Sequence, residues 1–183
     1  SIPKEKLLIG TGCCASTDTI ELTRAALYAG FNQVLMLPPF YYKGVGDDGL
    51  FAAFDNVIQK LADERLRVVV YDFPLMTGLE ISVDLLVRLN NAYPETIVGV
   101  KDSSGDWPAI RAVIQAIPGF RTFAGTEQYL LADLRQGGAG CITATGNATS
   151  KLCQAVYGAF LAGDEAGAEA AQEIATATRL MLQ

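Results

Sequence analysis

The chain contains no histidine among its 183 residues. That removes the commonest metal ligand and the side chain that most readily titrates near neutral pH. A zinc site would have to be built from thiolates and carboxylates alone. Cysteine is scarce: Cys13 and Cys14 are adjacent, Cys141 and Cys153 lie far downstream, and no CxxC spacing occurs. These four read as small buried apolar residues in a reducing cytoplasm, and no metal or other cofactor is expected. Charge is sparse as well, at 19% of residues with a net of −6, and no stripe of Lys and Arg appears. Nucleic acid and anionic membrane surfaces are therefore not expected as partners. No apolar run approaches the roughly 20 residues that a membrane helix needs. Gly10-Thr-Gly12 lacks a third glycine and runs into the cysteine pair, which weakens any dinucleotide-binding fingerprint. No signal or transit sequence is legible at Ser1-Ile2-Pro3, so the expected location is the cytoplasm.

What is present is apolar. Hydrophobic residues make up 50% of the chain and the mean hydropathy is +0.25, richer than an average globular composition. The length suits one domain with a sizeable core. Short apolar runs at residues 7–10, 33–37, 66–71, 96–101, 121–124 and 140–144 alternate with longer helical stretches. The runs are continuous rather than alternating, as strands of a parallel sheet covered on both faces should be.

Helix punctuation is legible between them. Asp18 with Glu21 has capping-box spacing, and Gly30 sits where a helix would stop. Leu50, Phe54, Val57, Ile58 and Leu61 recur along one face. Ser82 and Asp106 are placed as N-caps, Pro108 lies in a first turn, and Gly137-Gly138 ends a helix opening near Glu127. An Ala-rich helix follows Asp164. Six βα units in succession imply an α/β fold with right-handed crossovers. Periodicity alone leaves an open doubly wound sheet and a barrel both standing.

Three strand ends carry chemistry. In Ile97-Val-Gly-Val-Lys101-Asp102 a lysine closes a buried strand, and alternation sets it on the side of Gly99, which leaves room around the amine. Desolvation favours the neutral amine, the form that attacks a ketone. On this feature alone the other reading is a lysine reaching out of the strand to pair with Asp102. Tyr71 ends the preceding strand in Val70-Tyr71-Asp-Phe-Pro74. If the strands are sequential its phenol lies beside Lys101, since neighbours are about 4.8 Å apart. There it is a candidate proton carrier or an ordinary rim aromatic. Pro38-Pro-Phe-Tyr-Tyr-Lys43 places aromatic rings just past a third strand, at an interface or a pocket mouth.

Taken together, these segments resemble the dihydrodipicolinate synthase / N-acetylneuraminate lyase family of pyruvate-dependent class I aldolases. The family motifs appear in order as Pro39-Phe-Tyr-Tyr42, Tyr71-Asp-Phe-Pro-Leu-Met-Thr-Gly78 and Gly99-Val-Lys101-Asp102. Phe123-Ala-Gly125 and Gly138-Ala-Gly-Cys-Ile142-Thr-Ala-Thr-Gly-Asn147 resemble the family's seventh strand and its eighth strand with its loop. The resemblance implies a (β/α)8 TIM barrel lacking its first two βα units, so that residues 1–183 hold strands three to eight and the start of the C-terminal helical region. The family's Gly-Thr-Thr-Gly loop has no counterpart here, and the chain is expected to be part of a longer one.

The resemblance further implies a Schiff-base lyase or aldolase acting on pyruvate or a 2-oxo acid. Lys101 would be its nucleophile and Tyr71 its proton carrier. Gly125, Ile142, Thr77, Met76 and Tyr42 would contact substrate, without a cofactor, in a homo-oligomer, with tetramers usual in the family. The synthase of lysine biosynthesis is the first alternative, and a dehydratase acting on a 2-keto-3-deoxy sugar acid is the next. Met76 stands where the synthase branch carries a carboxylate-gripping arginine, and Asp72 stands where asparagine is usual. A non-catalytic relative that only binds a 2-oxo acid is the alternative from another class. A phosphate-binding barrel is disfavoured because Gly137-Gly138-Ala-Gly140 precedes its strand rather than following it.

Overall fold

The apolar runs form strands and the segments between them helices, in the computed structural model of this protein, which describes residues 2–182. The strands are β1 (Ile9–Gly10), β2 (Gln33–Met36), β3 (Arg67–Asp72), β4 (Ile97–Asp102), β5 (Arg121–Ala124) and β6 (Gly140–Cys141). The helices are α1 (Ser16–Tyr28), α2 (Asp47–Leu61), α3 (Pro74–Thr77), α4 (Val83–Ala92), α5 (Trp107–Ala116), α6 (Leu130–Arg135), α7 (Gly146–Leu161) and α8 (Glu165–Met181). The chain divides into two compact units, one ending at Val100 and the other beginning at Lys101.

In the first unit β1, β2, β3 and the opening of β4 are hydrogen-bonded in chain order. The β1–β2 and β2–β3 pairs are parallel, with Ile9 opposite Val34 and Val34 opposite Val68. Val68, Val69 and Val70 are all buried, which explains the unbroken apolar run: both faces of β3 are covered. Helix α2 buries Leu50, Phe54, Val57 and Ile58, while Leu61 is only half-buried at its end. Helix α4 packs with α2, buries Leu85, Leu86 and Leu89, and is capped by Ser82 accepting from the Leu85 amide at 3.0 Å.

In the second unit the end of β4, then β5 and β6, again follow chain order. β5 and β6 are parallel, with Phe123 opposite Gly140. Asp106 caps α5 as expected, accepting from the Ala109 amide. Helices α6, α7 and α8 enclose a core of Leu130, Leu131, Leu134, Val156, Ala168 and Ala175. Asp164 caps α8 through the Gly167 amide at 2.9 Å.

Three local expectations are corrected. Helix α1 begins at Ser16 rather than after Asp18, because the Thr19 hydroxyl accepts the Cys13 amide and draws the first turn forward. Asp18 then lies inside the first turn, where its charge suits the helix dipole. The stop at Gly30 stands: its φ is +84°, and the Gly30 and Phe31 amides close back on Leu27 and Ala26, a Schellman ending. Strand β6 stops at Cys141, three residues early, since the chain turns to bring Thr143 and Thr145 to Glu127. Finally, Cys14 is exposed in the bend before α1, whereas Cys141 and Cys153 do pack against the helical core. Among the described residues no helix is long and apolar enough to cross a membrane.

Candidate active site

Lys101 is the penultimate residue of β4 and is half-buried. Beyond it the Asp102 carboxylate turns inward and accepts the amide (2.8 Å) and the hydroxyl (2.6 Å) of Ser104. Burial raises this carboxyl above its usual range, and the Ser104 donors pull the other way. Asp102 is thereby committed to shaping the turn after the nucleophile candidate. Its carbonyl accepts the Gly125 amide at 2.6 Å. A Cβ at Gly125 would lie 2.3 Å from Ser103 Oγ and 2.7 Å from the Asp102 carbonyl, so only glycine allows the two backbones to approach this closely. One strand further on, the Ile142 amide donates to the Ala124 carbonyl at 2.9 Å. The ends of three successive strands thus bring Lys101, Gly125 and Ile142 to one end of the second unit. Enzymes with parallel barrels carry their chemistry at this C-terminal end.

The first unit gathers the remaining candidates in the loops after β2 and β3. Tyr71, half-buried near the end of β3, stacks on Phe73 with ring centroids 5.6 Å apart. Asp72 is buried and its Oδ1 accepts the Ile81 amide at 3.4 Å. An amide oxygen could accept that bond equally well. Thr77 is buried, and its hydroxyl donates to the Phe73 carbonyl at 2.9 Å while accepting the Leu79 amide at 3.2 Å. Its side chain holds the turn in shape. Met76 is 59% exposed on α3, and Tyr41 and Tyr42 are 73% and 76% exposed, edge to face.

A residue outside the expected site joins these two loops. Lys43 Nζ donates to the carbonyls of Phe40 and Thr77, each at 2.6 Å. Its stem lies along Gly78, where an added Cβ would come within 3.2 Å of it. Lys43 therefore holds the Tyr41-Tyr42 segment against the end of α3. Its ammonium thus serves two backbone carbonyls.

Two buried acids of the second unit carry no motif signal in the sequence. Glu127, just after β5, is completely buried and accepts from threonine hydroxyls. Asp133 of α6 is completely buried, and its Oδ2 accepts the Gly140 amide at 2.8 Å. Cys141 and Cys153 hydrogen-bond to one another, and burial raises both thiols, which leaves them poorly reactive. None of these has a periodic or motif signal. The one available cue was a pair of acids, Glu127 and Asp133, in an otherwise apolar stretch.

The model of the "Dihydrodipicolinate synthetase family" matches residues 3–181. An uncharacterized DapA-like lyase of Chloroflexus aurantiacus is 39% identical over 165 residues, which is 90% of this chain and 55% of that protein. A 4-hydroxy-tetrahydrodipicolinate synthase of Rhodospirillum centenum is 35% identical over 159 residues, 86% of this chain and 53% of that one. Among solved structures, YagE, a prophage protein of the dihydrodipicolinic acid synthase family from E. coli K12 in complex with pyruvate, superposes with a TM-score of 0.84 at 29% identity. It covers 91% of this chain and 55% of its own. The chain spans about half the length of the curated relatives it matches.

Proposed function

This chain belongs to the dihydrodipicolinate synthetase family, and from that premise we propose that it supplies the Schiff-base machinery of a carbon–carbon lyase. The substrate is pyruvate or a related 2-oxo acid. Lys101 attacks the ketone as the neutral amine, the carbinolamine loses water, and the iminium draws electrons from the adjacent carbon. Loss of a proton from that carbon gives an enamine, which adds to an aldehyde carbonyl. The same steps in reverse cleave an aldol. Tyr71 carries the proton at the carbinolamine and at the aldol oxygen. Gly125 and Ile142 bound the floor on which the 2-oxo acid lies, Thr77 holds the loop after Tyr71, and Tyr42 and Met76 meet the acceptor.

The observation that carries this reading is the register of Lys101, Gly125 and Ile142 on three adjacent strand ends, with Gly125 irreplaceable on steric grounds. The pyruvate complex of YagE supports the choice of substrate. In the full-length protein the strands described here are the third to eighth of a (β/α)8 barrel, completed by two further βα units. The exposure of Tyr41 and Tyr42 fits a homo-oligomer in which that segment meets a neighbouring subunit. Four free cysteines fit a reducing cytoplasm.

A second reading, the 4-hydroxy-tetrahydrodipicolinate synthase, is favoured by the name of the Rhodospirillum centenum relative. Met76 speaks against it. A thioether cannot make the bidentate, charge-assisted contact that an arginine makes to a carboxylate-bearing aldehyde, worth roughly 1.5–3 kcal/mol. The deciding experiment compares aspartate semialdehyde with uncharged aldehydes on the full-length protein, alongside Met76→Arg. The lyase reading expects uncharged acceptors to be preferred, and the variant to gain about thirtyfold for aspartate semialdehyde. Efficient use of aspartate semialdehyde, unchanged in the variant, would establish the synthase.

A further inference from the structure

We propose that Glu127 is a positioning residue for the Schiff-base site: it ties the loop after β6 to the loop after β5 and so holds Ile142 and Gly125 at their strand ends. The inference rests on the lyase reading above and adds to it a residue that no motif identified.

Glu127 opens the short helical turn after β5, two residues beyond Gly125, and none of its surface is exposed. Its Oε2 accepts the Thr143 hydroxyl at 2.6 Å, and Thr143 directly follows Ile142. Its Oε1 accepts the Thr145 hydroxyl. Thr149 shares one hydroxyl proton between the Thr145 carbonyl at 2.8 Å and Glu127 Oε1 at 3.3 Å. Arg179 of α8 donates to Thr145 Oγ1 at 3.0 Å and lies 3.9 Å from Glu127 Oε2.

The direction of these bonds is constrained. Arg179 can only donate to Thr145, whose hydroxyl donates in turn to the carboxylate and also lies 3.1 Å from Thr143 Oγ1. Burial alone would raise the Glu127 carboxyl, but the Thr143 and Thr145 donors, its own backbone and Arg179 together bring it below its usual value. The backbone is held as well: the Glu127 carbonyl accepts from Gln172 Nε2 at 2.9 Å, and Gln172 Oε1 accepts the Leu131 amide at 2.9 Å. A carboxylate enclosed by hydroxyls and an arginine has no path to substrate. What it can do is set the distance between two loops, and those loops carry the two residues expected to floor the 2-oxo acid.

Glutamine at this position would keep the shape but present an NH2 group to threonine hydroxyls that now donate to the carboxylate, and remove the charge that faces Arg179. The test uses the full-length protein with Glu127→Gln, and with Thr143→Val and Thr143→Ser as milder variants that keep it decisive if Glu127→Gln fails to fold. Two quantities are read: amide hydrogen exchange at Gly125 and Ile142, and the rate of borohydride trapping of pyruvate on Lys101. Exchange at both amides should rise at least tenfold in Glu127→Gln and Thr143→Val, with the Ile110 and Ile114 amides of α5 unchanged. Trapping should slow by about ten- to a hundredfold, the scale of a small misplacement of reacting groups. Thr143→Ser should restore both, and the Glu127→Gln/Thr143→Val double variant should be no worse than the poorer single. Wild-type exchange and trapping in Glu127→Gln or in Thr143→Val would overturn the proposal. If the wild-type protein traps no pyruvate, the lyase reading falls, and the exchange measurement alone still decides whether Glu127 positions the loops.

Discussion

The amide of Gly125 donates to the carbonyl of Asp102 at 2.6 Å, so the residue leaving β5 is registered against the residue that follows Lys101. A methyl group at Gly125 would meet Ser103 Oγ and the Asp102 carbonyl well inside contact distance. Gly125→Ala should therefore force the two strand ends apart. The expected cost is about 1–3 kcal/mol of stability, as for overpacking elsewhere, with a loss of pyruvate turnover of around a hundredfold. Thermal unfolding and steady-state kinetics on the full-length protein check both. Wild-type turnover in this variant would show that the close approach does not matter to the site.

Tyr71→Phe removes one hydroxyl and leaves the stacking on Phe73 possible. If Tyr71 carries a proton, turnover should fall about 10²–10⁴-fold while pyruvate still binds. A change of only a few-fold would return Tyr71 to a packing role.

Lys43→Met keeps most of the stem and deletes the donors that serve Phe40 and Thr77. The Tyr41-Tyr42 segment should become a site of limited proteolysis, and the apparent affinity for the acceptor should fall more than that for pyruvate. Because the ammonium already serves two carbonyls, discrimination between carboxylate-bearing and neutral aldehydes should not change. A selective loss of carboxylate-bearing acceptors would instead make Lys43 a substrate contact.

Asp133 gives a pH signature. Burial raises its carboxyl to about 7, whereas an aspartate in the unfolded chain titrates near ~4. Between these values the folded protein holds a proton that the unfolded chain has released. The contribution to stability is thus fully present below pH ~4 and is lost as pH rises through about 7, over a range of order 2–4 kcal/mol. Asp133→Asn keeps an acceptor for the Gly140 amide and removes the titration. Its unfolding midpoint should fall less between pH 5 and pH 8 than that of the unaltered protein, as followed by denaturant titration. Equal pH slopes would contradict the assignment.

The sequence discloses most of the scaffold because its signals are local. Continuous apolar runs mark β3 and β4, and the side chains of Ser82, Asp106 and Asp164 cap their helices. Asp18 misled because Thr19, one residue on, bonds backward to Cys13 and moves the helix start. The end of β6 was misplaced for a related reason: Thr143 and Thr145 have good strand propensity, but their hydroxyls are drawn to Glu127. Lys101 and Tyr71 stood out because a charge or phenol closing an apolar strand is locally anomalous. Glu127 and Asp133 did not, because a single buried acid carries no periodic signal and its partners, Thr143 and Gly140, belong to no pattern with it.

An iminium between Lys101 and a 2-oxo acid can be trapped by reduction. The most direct measurement incubates the full-length protein with pyruvate and sodium borohydride, then locates the reduced adduct by peptide mass spectrometry, with Lys101→Ala in parallel. The account predicts one adduct per chain, on Lys101, absent from the variant. An adduct on another lysine, or none in a folded full-length preparation, would contradict it.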